Sequence, residues 1–136
     1  MLLVGEGHSS NAVYHALVRE FGPLTVIQEP DLSWWFLVRR RLRRLGYREV
    51  AGQVLFSALV VPVLRLKAKA RIESIIEREG MDVTPIDGPV LDVASVNSEE
   101  VRSALRRADP AVVVVNGTRI IAKDVLGCVA APFVNL

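Results

Sequence analysis

Apolar residues along this chain form short unbroken runs at both ends and recur at helical spacing between them. Leu2-Leu3-Val4 is one such run, stopped by Gly5-Glu6-Gly7. A run that does not alternate with polar residues marks a strand covered on both faces, as in a parallel sheet. Ser9 or Ser10 can cap a following helix, in which Val13, Ala16, Leu17 and Phe21 share a face before Gly22-Pro23 ends it. Leu24-Thr25-Val26-Ile27 predicts a second strand, closed by Glu29-Pro30-Asp31. The opening segment is therefore a β-α-β unit with a parallel crossover.

The middle is helical. Ser33 can cap a segment holding Trp34, Trp35, Leu37, Val38, Leu42 and Leu45, with Gly46 as its stop. A second helical stretch runs from near Tyr47 to Arg78, where Pro62 is expected to kink or break it and Gly80 to cap it. The last third returns to α/β alternation. Val90–Val93 reads as a strand, and Asn97 or Ser98 as the cap of a helix with Glu99 and Glu100 in its first turn. Asp109-Pro110 ends that helix, Val112–Val115 is the clearest buried strand, and a short helix is expected from about Arg119 to Leu126. Phe133–Leu136 reads as a final strand. The fold class is α/β: a Rossmann-like parallel sheet with flanking helices. Parallel strands deliver ligand-binding loops at their carboxyl ends. No residue follows Leu136, so the expectation is the N-terminal portion of a longer domain, truncated after that strand.

Composition narrows the class. A length of 136 residues suits one domain, and 51% hydrophobic with 24% charged residues excludes a disordered chain. The single Cys128 excludes a disulfide scaffold, and with only His8 and His15 no metal site is expected. Cys128 reads as a small buried hydrophobe. The N-terminus has no basic region followed by a long apolar one, and Val54–Leu64 is shorter than the ~20 residues a membrane span needs. We expect a cytoplasmic chain without a transmembrane segment.

Charge changes the picture. Residues 33–80 hold eleven of the seventeen Lys and Arg but four of the fifteen acids, a net of +7, which leaves −5 for the rest. Such a basic segment, at about 33–79, either is a solvated helix face or meets phosphates, nucleic acid, an acidic protein or anionic lipid.

Gly5-Glu6-Gly7-His8-Ser9-Ser10-Asn11 joins the first strand to the first helix. Glycines let an anion approach the backbone, and the free amides of a helix start attract it. Ser10 stands where a dinucleotide fingerprint has its third glycine, and no Walker lysine follows. The loop is either a phosphate- or carboxylate-binding turn or a tight strand–helix turn with polar caps. Asn116-Gly117-Thr118-Arg119-Ile120-Ile121 follows the strongest strand and borders a candidate pocket, or is an ordinary turn. Asn135 is polar within an apolar strand, where an amide can serve an oxyanion or a structural hydrogen bond.

In order and spacing these pieces resemble the formyltetrahydrofolate-dependent formyltransferases. The resemblance rests on Gly5–Asn11, on Val26–Asp31, on Val96–Glu100 leading to Ala108–Gly117, and on Phe133–Leu136, and it leaves out residues 31–79. It implies that Gly7, Ser9, Ser10 and Asn11 line the site of a small-molecule amine, that Gly117, Thr118, Arg119, Ile120 and Ile121 border the pocket for 10-formyltetrahydrofolate, and that Asn135 is the catalytic asparagine. The family's histidine would follow Leu136, so this chain alone is expected to be inactive. The basic segment would suit a phosphorylated acceptor such as a sugar nucleotide. Two readings stand beside it: a non-catalytic Rossmann-like nucleotide- or anion-binding module, and an interaction domain built on the basic helices. A sheet edge left open at residue 136 would favour a homo-oligomer.

Overall fold

A computed structural model describes residues 1–30 and 47–136, with the side chains of 47–55, 58 and 65 outside that description. The expected helix containing Trp34 and Trp35 lies outside the described residues. In chain order the elements are β1 (Leu2–Gly5), α1 (His8–Phe21), β2 (Val26–Glu29), α2 (Tyr47–Glu79), β3 (Val90–Asp92), α3 (Glu99–Ala108), β4 (Val113–Asn116), α4 (Lys123–Leu126) and β5 (Phe133–Asn135). They fall into two units, one within Met1–Asp31 and Met81–Leu136, the other within Leu32–Gly80.

The first unit is a five-stranded, all-parallel sheet in the order β3-β2-β1-β4-β5. Strand β1 is central, with Leu2 paired to Val26 on one side and to Val114 on the other. Alternation sends successive residues of each strand to opposite faces. Leu3, Ile27, Val113 and Val115 pack under Val101 and Leu105 of α3 and Val125 of α4. Leu2, Val4 and Val26 pack under Tyr14, Val13 and Leu17 of α1. Both faces are covered, which explains why these strands read as unbroken apolar runs. Cys128 is half-buried against the α3 side.

Helix boundaries differ from expectation in three places. Gly7, not Ser9 or Ser10, is the N-cap of α1, and no side chain caps that helix. The chain does not become helical at Arg119; residues 117–122 stay extended or looped, and α4 starts at Lys123. Pro62 lies inside a single helix from Tyr47 to Glu79 rather than at a break. Elsewhere the punctuation is as expected. Ser98 caps α3, its Oγ accepting from the Val101 N–H, and Asp109 stops it with a left-handed φ of 40°. Gly80 follows α2 with φ 59°.

Between α2 and β3, residues 82–88 run along α1 as a strap. Asn11 Nδ2 donates to the Val83 carbonyl at 3.0 Å, and Tyr14 Oη donates to Asp87 Oδ1 at 3.2 Å. His15 Nε2 lies 3.1 Å from both oxygens of Thr84, and Thr84 in turn bonds Asp82. Residues 11, 14 and 15 share one face of α1 because three and four residues make about one turn. A Cβ at Gly88 would strike the Tyr14 hydroxyl, so a side chain there would have to push Tyr14 off the strap.

Candidate functional site

The chain leaves β1 for α1 and β2 on one side, and returns through α3 to β4 on the other. The strand order therefore reverses between β1 and β4, where a parallel sheet opens its ligand crevice at the carboxyl ends. Two loops meet there. A Cβ at Gly5 would strike the Gly117 carbonyl, and Gly117 turns with φ 69°, so both glycines are needed for the close approach.

Strand parity sorts the polar residues of this edge into two groups. On the α1 side, Asn116 is buried and donates to Ser9 Oγ and Ser10 Oγ, each at 3.3 Å. Ser10 is itself buried at 1% exposure. Beside it Gly7, with φ 128°, opens α1 with no side chain over the first free N–H groups. A cavity of 340 Å³ lies here, lined by Gly7, Asn11, Gln28 and Asp92, with Pro85, Ile86 and Val90 as its apolar wall. Gln28 and Asp92 are register partners on β2 and β3, and so present an amide and a carboxylate side by side.

On the α3 side Glu29 organises the edge. It is 2% exposed, and its Oε2 accepts from the Val96 N–H at 3.0 Å. Its Oε1 accepts from the Arg119 N–H, and Arg119 Nε stands 3.1 Å from Oε2 as an ion pair. The Arg119 guanidinium also donates to the Ala94 carbonyl at 2.8 Å. Asn97 grips the same loop from both sides: its Nδ2 donates to the Ile120 carbonyl and its Oδ1 accepts from the Ala122 N–H. Ile121 packs on the α3-side core, while Ile120 is 93% exposed.

Of the residues singled out in the sequence, Gly7, Ser9, Ser10 and Asn11 thus come together on the α1 side. Gly117, Thr118, Arg119, Ile120 and Ile121 form a pinned loop whose anchors lie on the α3 side. Asn135 is exposed at the carboxyl end of β5, paired in register with Val115, and four strand intervals, about 19 Å, separate β5 from Asp92 on β3. Sequence reasoning passed over Glu29, Gln28 and Asp92. Glu29 falls in the expected turn rather than the strand, because the expected strand begins and ends two residues too early. A signal was present, since an acid directly closing an apolar run must find partners if the strand extends to it.

Glu29 also occupies the end of β2, where a dinucleotide-binding sheet keeps an acid free for a ribose. Here both carboxylate oxygens are taken up by the protein. Among the described residues no group of three or more His, Cys, Asp and Glu could hold a metal, and no helix is long and apolar enough to cross a membrane. Searched against family models, curated proteins and solved structures, the chain matches none.

Proposed function

We propose that the α1 side of the carboxyl edge binds a small molecule with an anionic group at one end and an amine or hydroxyl at the other. The cavity between Gly7 and Asp92 carries this reading. At its Gly7 end, uncapped amides and the positive end of α1 favour a phosphate or carboxylate. At its far end, the Asp92 carboxylate would repel that anion and accept from an amine or hydroxyl, with Gln28 beside it to bond a second polar group. A phosphorylated amine is the ligand class with both features.

The test is a titration of the chain with inorganic phosphate and with an amino-sugar phosphate, followed by backbone amide NMR. Phosphate should shift the amides of Gly7 to Asn11, and the amino-sugar phosphate should in addition shift Gln28 and Asp92. Gly7→Val, strained at its positive φ, should abolish the response. Saturating ligand that moves none of these amides would overturn the reading.

A second reading, formyl transfer from 10-formyltetrahydrofolate to an amine held near β5 rather than at Asp92, draws on Asn135, exposed at the carboxyl edge one strand from the 117–121 loop. It requires the chain to bind the folate at that loop. Fluorescence titration with 10-formyltetrahydrofolate should then saturate for the parent and fail for Ile120→Asp, at a position 93% exposed and outside the core.

A further inference from the structure

Helix α2 carries two kinds of exposed side chain on one face. Phe56, Leu59, Val60, Val63, Leu64 and Leu66 are all exposed, Leu66 at 74%. At 3.6 residues per turn they fan over an arc of about 160°, without a charge among them. Further along the same arc come Lys67, Arg71 and Arg78, opposed only by Glu77. Arg78 bonds its neighbour Glu79 at 2.9 Å, and the ion pair of Lys69 with Glu73 lies off the arc, which leaves Lys67 and Arg71 as the cations of this face. The face is therefore an apolar half followed by a basic half.

Six large apolar side chains in one exposed patch mark an interaction surface. Its charge decides among occupants. A second copy aligned in parallel would set Lys67 against Lys67 and Arg71 against Arg71. Aligned antiparallel, it would set the cations of one helix against the apolar half of the other. An anionic bilayer surface meets both halves at once: the apolar side chains enter the acyl boundary while the cations rest among lipid phosphates. We propose that this face of α2 docks, lying flat, on an anionic lipid surface.

The experiment is co-sedimentation of the full chain with vesicles of phosphatidylcholine alone and of phosphatidylcholine mixed with phosphatidylglycerol. Binding to the mixed vesicles, weakened by salt and slight on the neutral ones, is expected. K67Q/R71Q should lower the partition roughly thirtyfold, at about fivefold per cation. L59S/V63S should abolish it with helix content, read by circular dichroism, unchanged. Lys69→Gln, off the arc, should leave it as it was. Equal partition onto both vesicles, or none onto either by the folded parent, would overturn the proposal. So would a loss for Lys69→Gln equal to that for Lys67→Gln. A lipid-free dimer in sedimentation equilibrium that Leu66→Ser dissolves would give the face to a second copy instead.

Discussion

Glu29 shows how much one side chain can hold. It closes β2, takes the amide of Val96 from the turn after β3, and takes the amide of Arg119 from the loop after β4. Three separate strand ends are thereby tied to one carboxylate. Glu29→Ala would leave the Val96 and Arg119 amides without their acceptor and Arg119 without its ion-pair partner, a loss of about 2–4 kcal/mol. Urea unfolding should read that loss, and Glu29→Gln should recover part of it by keeping one carbonyl acceptor. Residue-level reading of the sequence reached the glycines and serines of this edge because their types are suggestive. It missed Glu29, Gln28 and Asp92 because their importance comes from register: Gln28 faces Asp92 only once β2 and β3 are paired, which no local pattern encodes.

At the scale of elements, the strap 82–88 is the piece least legible in advance. It contains no regular structure, and its anchors, Asn11, Tyr14 and His15, sit about seventy residues away on α1. The helices and strands themselves were readable from apolar periodicity and from caps such as Ser98. The expected α4 start at Arg119 failed because Asn97 takes the Ile120 carbonyl and the Ala122 N–H, two backbone groups that a helix starting there would have paired within itself. The strap is also sensitive to pH. Burial first, then the Asp87 carboxylate it donates to, raises the Tyr14 phenol above its ordinary value. The fold thus favours neutral Tyr14. Its contribution is full below pH about 10, the unfolded phenol's value, and is lost as pH rises through the higher folded one. Alkaline unfolding should therefore be steeper in the parent than in Tyr14→Phe, which forgoes the bond at a cost of about 1 kcal/mol at neutral pH.

At the scale of the molecule, the parallel sheet and its two covered faces follow from unbroken aliphatic runs separated by helical ones. The strand order does not follow from them, since it depends on which side of β1 the later strands add. That central placement of β1 has a kinetic consequence. Leu2 finds Val26 after a short loop but Val114 only after most of the chain, and closing the longer loop costs roughly 1–1.5 kcal/mol more. The β1–β2 pair should thus assemble first, with one edge of Leu2-Leu3-Val4 bare until β4 arrives. Val26→Ala should slow refolding, whereas Val113→Ala should chiefly speed unfolding, and the two arms of a chevron plot separate these effects. Until β4 docks, that bare aliphatic edge is a template for another chain, and the yield of refolding should fall as protein concentration rises.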